Sequence, residues 1–458
     1  MNVASPTSPT AAPTTPESHA SAATPALPSK AYRRYALIVL LAAYTLNFLD
    51  RQILAILAEP IKQDLGFQDW QLGLLTGLAF ALFYTILGIP IASLSERGNR
   101  PMIIGSAIAV WSGFTALCGM AQSYWQLVLA RVGVGVGEAG CTPPAISLIT
   151  DYTPPQERAS ALSIYLLGAP LGALIGMAAG GLIADTYGWR MAFLIAGAPG
   201  VVLSLVVLTT LSEPRKRLTA EMRARAASVP APNFKKTVAM LRKSRTYVLI
   251  CSAISLQAFI SYGTTAFIAS FFFRNHAGEL DAMAAQYGLQ SAGFLGLALG
   301  LVMGASSAVG TVVGGYVADH FGRKDIRAYV ILPTVGVVVA APFTLAAYSV
   351  SSMTLALCLL AIPTLFNALW FAPSFAAIQG LVPANSRATA TAIMMFFTNL
   401  IGLGIGPLGV GILSDLIAGS FGPAAGVRYA LITVSLAGIP TIWMFWDARK
   451  TIAAETIS

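Results

Sequence analysis

Asp50 and Arg51 stand side by side inside an apolar stretch that covers roughly residues 35–57. Arg131 and Glu138 lie seven apart inside another, residues 124–150. A helix rises 1.5 Å per residue at 3.6 residues per turn, so Arg131 and Glu138 share one face about 10 Å apart, too far to pair with each other. One charge at the middle of a membrane helix costs about 2.5–3.5 kcal/mol on the gentlest scale. Four unpaired charges would cost about 10–14 kcal/mol, which rivals the net stability of a domain. They must therefore face one another or a wet cavity, and such groups mark an ion or substrate path. The plainer alternative is ion pairing between neighbouring helices. A guanidinium offers a planar fork matched to phosphate or carboxylate. Arg51 is the first choice for an anionic headgroup. Arg131 is the second, or else it locks a gate by pairing with Asp50. Asp50 and Glu138 are candidates for proton carriage, because a carboxyl removed from water holds its proton more tightly while a nearby arginine opposes this. The expected scheme is a competition: Asp50 is ionised while an arginine holds it, and takes a proton when a substrate anion takes that arginine. Glu138 has a second reading, as a structural acid bonded to the first segment.

The elements that must position these groups are membrane helices. The 458 residues are 56% hydrophobic and 10% charged, with mean hydropathy +0.71; soluble proteins average about 25% charged residues. Twelve apolar segments of about 20 residues or more, the length that spans a bilayer, lie near 35–57, 71–94, 101–121, 124–150, 157–182, 190–212, 246–273, 289–318, 326–347, 352–380, 388–413 and 427–447. The fold class is an all-α membrane protein of twelve transmembrane helices in two six-helix bundles. With the N-terminus inside, only Lys62, Arg190, Arg274 and Arg428 fall in external loops. Arg51 and Arg131 are intramembrane, and the rest of the 28 Lys and Arg residues are cytoplasmic. Both termini are therefore expected in the cytoplasm.

The division expected is a disordered tail over 1–30, a first bundle over 31–212, a basic linker over 213–245, a second bundle over 246–450 and a short tail over 451–458. The first tail is mostly Ala, Pro, Thr and Ser, a composition that cannot bury a core. The linker carries ten of the basic residues and reads as an orientation signal lying on anionic lipid rather than as a regulatory site. Cys118, Cys141, Cys251 and Cys358 are dispersed in apolar segments and read as small buried hydrophobes. The three histidines lie in the tail and loops. No metal, cofactor, nucleic acid or enzyme chemistry is implied, and the chain is expected to work as a monomer among membrane lipids.

The halves repeat. Pro154-x-x-x-Arg158-Ala159 returns as Pro383-x-x-x-Arg387-Ala388, and Asp185 returns as Asp415. Glu96-Arg97-x-Asn99-Arg100 after the second segment answers Asp319-x-x-Gly322-Arg323-Lys324 after the eighth. Parallel repeats of this kind place a site between the halves at mid-membrane. Small residues four apart, Gly168, Gly172, Gly176 and Gly180 on segment 5 and Gly296, Gly300, Gly304 and Ala308 on segment 8, are expected to bring those two helices together across the halves. Gly73, Gly77 and Ala81 are expected to face Gly402 and Gly406 likewise.

On these motifs the chain resembles the major facilitator superfamily over residues 30–450. The run Gly315-Tyr316-Val317-Ala318-Asp319-His320-Phe321-Gly322-Arg323-Lys324 looks like its cytoplasmic loop motif, and Gly402-x-x-x-Gly406-Pro407 like its Gly-Pro motif. Asn47-Phe48-Leu49-Asp50-Arg51 and Arg131-x-x-x-Gly135-x-Gly137-Glu138-Ala139 make the likeness nearest to the Spinster group, and a bacterial homologue in the inner membrane is implied. The resemblance implies a secondary transporter working by alternating access, with segments 1, 4, 7 and 10 lining a cavity. It also implies proton coupling and an anionic lipid of the lysophospholipid or sphingosine-1-phosphate kind. The alternative is a proton-coupled symporter of small organic anions or sugar acids, with Gln257, Asn367 and Asn399 keeping it open. The expected binding residues are Arg51, Arg131, Asn47, Tyr84, Tyr165, Thr264, Ser307, Trp370 and Phe371, the charged wall of one half facing an aromatic wall in the other. Glu96, Arg97, Arg100, Asp319, Arg323 and Lys324 are expected to latch the cytoplasmic side in the outward-facing state.

Overall fold

The computed structural model describes residues 27–217, 234–322, 324–383 and 386–457. Residues 1–26 of the tail read as disordered and the middle of the basic linker lie outside the described residues, and a helix already starts at Lys30. Among the described residues, eleven helices are long and apolar enough to cross a membrane. They are α1 (Lys30–Leu65), α2 (Asp69–Ser95), α3 (Arg100–Gly119), α4 (Tyr124–Tyr152), the stretch Ser160–Thr210, α7 (Arg245–Asn275), α8 (Ser291–Gly322), α9 (Ala328–Ser349), α10 (Met353–Gly380), α11 (Arg387–Phe421) and α12 (Pro423–Ala448). Ser160–Thr210 is two spans joined at Gly188, whose φ of 80° and ψ of 164° break the helix; residues 160–187 are α5 and 189–210 are α6. Only a residue without Cβ adopts that conformation freely, so one glycine turns the chain around and completes twelve spans.

The two halves are built alike down to single hydrogen bonds. Arg158 Nε donates to the carbonyl of Thr150 at 3.1 Å, and Arg387 Nε to the carbonyl of Gln379 at 3.1 Å. Each arginine of the repeated Pro-x-x-x-Arg motif thus reaches back eight residues to the end of its half's fourth helix. Those carbonyls have no partner within their own helix.

Small residues set how closely the helices approach, but the partners differ from expectation. A Cβ on Gly172 or Gly176 would strike the backbone carbonyls of Thr45 (2.5 Å) and Leu49 (2.7 Å), so this stripe faces α1. As expected, α5 and α8 do meet, and the α8 stripe faces α5: Gly296 and Gly300 abut the carbonyls of Met177 and Leu174, while on α5 it is Gly181 that abuts the Ala292 carbonyl. Gly73 and Gly77 meet the carbonyls of Pro407 and Gly404 on α11, whereas Gly402 and Gly406 pack on Ala258 and Phe259 of α7. A helix with small residues on two faces serves two neighbours, and spacing alone does not say which stripe meets which.

The face bearing the termini and the opposite face differ in closure. On the opposite face Arg274 of α7 bonds both Glu59 oxygens (2.6 and 3.0 Å) and Asp69 (2.7 and 2.8 Å), all three nearly buried. Lys62 and Ser414 complete the shell of Asp69 at 2.5 and 2.6 Å. This network crosses from one half to the other. Toward the termini face, the second piece of α4, Thr142–Tyr152, packs on α1, α2, α3 and the start of α5, within its own half. The face opposite the termini is thus closed across the two halves.

Arg100, expected in a latch, is instead wholly buried inside the first half. It bonds Asp151 at 2.7 Å, Ser147 at 2.9 Å and both oxygens of Glu213. Its guanidinium is fully used where the linker begins. Lys324 is exposed, 3.4 Å from the His320 ring. The side chains of Glu96, Arg97, Asp319 and Arg323 lie outside the described residues.

Two outcomes follow. Gly137→Ala puts a Cβ 2.6 Å from the Trp111 backbone nitrogen and is expected to lower stability by about 1–3 kcal/mol, while Gly88→Ala, with open space at that point, is neutral or gains up to about 1 kcal/mol; thermal unfolding in detergent compares them. Burial opposes the charge of Glu213, but hydrogen bonds from the Arg100 side chain and backbone outweigh it and hold its carboxyl below the ordinary range. A lowered carboxyl value means stability present above the unfolded value, about 4.3, and lost as pH falls through the folded one. The stability gap between wild type and Glu213→Gln should therefore be full at neutral pH and vanish toward acid.

Candidate functional site

Glu138 sits where α4 breaks. Its helix stops at Glu138, a turn follows, and the next piece starts Thr142-Pro143-Pro144. Prolines lack the N–H that would continue the ladder, so the break is written in the sequence and leaves Glu138 at a helix end in the bundle centre. Gly133, Gly135 and Gly137 let α4 press against Phe114, Phe80 and Trp111, which brings Glu138 to the middle of α1.

The four charges form two ion pairs. Arg51 donates through Nε (2.9 Å) and Nη2 (2.6 Å) to one oxygen of Glu138. Arg131 Nη1 donates to Asp50 at 2.8 Å, and the Thr115 hydroxyl of α3 donates to the other Asp50 oxygen at 2.6 Å. Adjacent residues on α1 thus point to different partners on α4, and the seven-residue step between Arg131 and Glu138 matches both at once. The Phe80 ring lies between the two guanidinium groups, 4.6 Å from Arg51 and 5.2 Å from Arg131; Phe48 and Tyr84 flank Arg51 at 5.3 and 5.1 Å. Cation–π contact of this kind is worth about 2 kcal/mol when dry.

Exposure separates the pairs. The side chains of Glu138, Arg131 and Asp50 are 0, 2 and 4% exposed, and that of Arg51 is 14%. Arg51 lines a recess of about 50 Å³ with Arg131, Phe80, Thr76 and Tyr262. Phe48, Gln52, Tyr262 and Thr265 join this recess to a cavity of about 280 Å³ between the halves. Glu138 Oε1 and Arg131 Nε have no hydrogen-bond partner among the described residues.

Thr264, Ser307 and Trp370 line the larger cavity as expected. Helices α1, α7 and α10 supply lining, and α5, α8 and α9 join them; α4 contributes Arg131 to the recess alone. Four expected residues line neither the cavity nor the recess. Phe371 begins a new helical segment after Trp370 and is turned to the surface, 38% exposed and stacked on Phe375. Tyr165 is fully buried against Tyr44, ring centroids 4.5 Å apart. Asn47 is buried one turn from Arg51, outside both cavities. Tyr84 reaches the site through Arg51 rather than through the wall.

The aromatic wall is also thinner than expected. Phe267, Phe271 and Phe272 are core residues with no exposure. The wall of the second half alternates apolar side chains, such as Ile260, Leu299 and Met303, with hydroxyls of Ser261, Thr264, Thr265, Thr344 and Thr364. The four threonines donate to carbonyls of their own helices, which leaves their lone pairs to face the space. Thr115 and Phe80 were missed because their types are ordinary in a membrane helix; only the fold brings them to Asp50 and the arginines.

Two helical bundles around a cavity with buried ion pairs define a membrane carrier. The chain belongs to the Major Facilitator Superfamily, whose model matches residues 40–407. It is similar to the crystal structure of a bacterial homologue of the human lysosomal transporter Spinster, in an inward-facing conformation, at 30% identity and TM-score 0.81, covering 94% of this chain and all of that one. An efflux pump of Mycolicibacterium smegmatis is 32% identical over 92% of this chain and 93% of its own length. A sphingosine-1-phosphate transporter of Xenopus tropicalis is 26% identical over 83% of this chain and 73% of its own length. A hexuronate transporter of Bacillus subtilis is 25% identical, covering 85% and 91%. The protein is a multi-pass membrane transporter and not an enzyme.

The pairing predicts energetic coupling. Double-mutant cycles on unfolding free energy should give about 0.5–3 kcal/mol for Arg51 with Glu138 and for Arg131 with Asp50, and a smaller value for Arg51 with Asp50. Strong coupling between Arg51 and Asp50 alone would contradict the arrangement.

Proposed function

We propose that the protein is a proton-coupled carrier of an anionic amphipathic lipid, of the lysophospholipid or sphingosine-1-phosphate class, in the plasma membrane of a bacterium. Both termini are cytoplasmic, as the distribution of Lys and Arg favours, and closure of the opposite face then makes the conformation inward-facing. One observation carries the reading: of four buried charges, the two that reach the recess are guanidinium groups, and Arg51, the more exposed of them, has a fully buried carboxylate as its counter-ion. A phosphate entering the recess meets the Arg51 fork and competes with Glu138 for it. Glu138, stripped of its cation where water is excluded, then holds a proton, since an unpaired buried carboxylate is far costlier than a neutral acid. Of the two candidate proton carriers, Glu138 thus takes the role more directly than Asp50. Asp50, with Arg131 and Thr115, holds the second pair and responds when Arg131 is drawn toward the anion. The apolar side chains around the larger cavity receive the tail, Trp370 among them.

The hydroxyls of the cavity favour a second reading, a symporter of small organic anions or sugar acids, and the similarity to a hexuronate transporter supports it. Competition separates the two: soluble carboxylates displace substrate from a small-anion symporter and lysolipid does not.

Flux of a labelled lysophospholipid into proteoliposomes, with and without an imposed pH gradient, tests the proposal. Wild type should show gradient-dependent flux, and Arg51→Ala should retain less than about a tenth of it, the loss expected of a charge-assisted contact. Glu138→Gln should still exchange substrate but ignore the gradient. Flux of lysophospholipid that survives in Arg51→Ala would remove the headgroup assignment, and unchanged gradient dependence in both Glu138→Gln and Asp50→Asn would remove the proton assignment.

A further inference from the structure

The repeat that pairs Asp185 with Asp415 has a consequence at the closed face. Asp415 lies on α11 of the second half, and its two oxygens accept the backbone N–H groups of Asp69 (3.1 Å) and Trp70 (2.7 Å), the first turn of α2 in the first half. Asp185 lies on α5 of the first half, and its Oδ2 accepts the N–H of Gly293 at 2.7 Å, in the first turn of α8 in the second half. Each half thus lends a carboxylate to a helix start of the other.

The correspondence extends along both seams. Eight residues before each aspartate, the carbonyls of Met177 and Pro407 abut Gly296 and Gly73. Four residues before each, Gly181 and Gly411 abut the carbonyls of Ala292 and Asp69. A Cβ at Gly293 would stand 2.5 Å from the Asp185 carboxylate, so glycine at that position is what admits the cap. The first N–H groups of a helix have no partner within it and carry the positive end of its dipole. A carboxylate placed there satisfies both needs while the halves touch, and neither when they part.

We infer that Asp185 and Asp415 are a reciprocal pair of outer-gate latches, which hold the inward-facing state by capping α8 and α2 across the two halves and must both release for the opposite face to open. The Arg274–Glu59–Asp69 network reinforces one seam only, because Ala292 stands where the first half has Asp69. The two caps are the part of the gate that the repeat supplies to both seams. This inference rests on alternating access and not on the identity of the substrate.

Spin-label distances test it without any flux measurement. In a background lacking the four native cysteines, one label pair at Tyr187→Cys and Tyr287→Cys, both about two-thirds exposed, reports the α5–α8 seam. A second pair at Gln68→Cys and Ser420→Cys reports the α2–α11 seam. Asp185→Ala and Asp415→Ala should each raise the ratio of the long-distance to the short-distance population about fivefold, the usual size of a lost helix cap, at both seams, and the double variant should raise it by about the product. Glu279→Ala removes a cap at the same face but within the second half, where Glu279 accepts from Met353 N–H at 2.6 Å, and should leave both distributions unchanged. If an alanine variant does not fold, Asp185→Asn and Asp415→Asn replace it; an amide still offers an oxygen without charge, and a smaller shift in the same direction is expected. Unchanged distributions, or a change confined to the substituted seam, would overturn the inference.

Discussion

Everything in the first half follows from the need to keep four charges neutral, in pairs, away from water. Removing one member of a buried pair costs about 3–5 kcal/mol, because the other is left uncompensated. Arg51 with Glu138 and Arg131 with Asp50 meet that need together. The need in turn dictates the local structure: the break in α4 at Glu138, the three glycines that let α4 approach α2 and α3, and a hydroxyl from α3 on the remaining Asp50 oxygen. Under the proposed function the ligand that disturbs this arrangement is an anion, which replaces the carboxylate it displaces.

The second half contributes no charge to this centre. It presents a wall of apolar side chains and hydroxyls. The two halves meet through backbone at glycine-lined seams, where surfaces are smooth and side chains do not interlock. Such seams can part and re-form without repacking a core, whereas interdigitated cores resist gradual deformation. Closure at the opposite face then rests on polar contacts, of which the buried Arg274 network is the most elaborate. Conformations of a carrier differ by a few kcal/mol, which is the scale of a small number of such contacts.

Much of this was readable before the structure. The intramembrane charges, the twelve spans and the repeat rest on strong signals, because charge is rare in apolar segments and repeated motifs keep their spacing. Which arginine meets which acid was not readable, since Asp50 and Arg51 point to different sides of α1 and only the packing of α4 decides. Phe371 shows the same limit: it follows the cavity residue Trp370 directly, yet successive residues differ by about 100° in direction around a helix. Arg100 was assigned to a latch from its loop motif, while its true partner Glu213 lies in a segment that gave no signal. The outer network was missed because Glu59, Asp69 and Arg274 stand at the ends of spans, where charges are ordinary.

The central claim is that an anion and a buried carboxylate compete for one guanidinium, so that binding substrate means binding a proton. Calorimetric titration of the purified protein with lysophospholipid, in two buffers of equal pH and different ionisation enthalpy, measures the protons taken up per ligand bound. The account predicts net uptake for wild type and none for Glu138→Gln that still binds. Saturable binding by wild type with no difference between the buffers would contradict it.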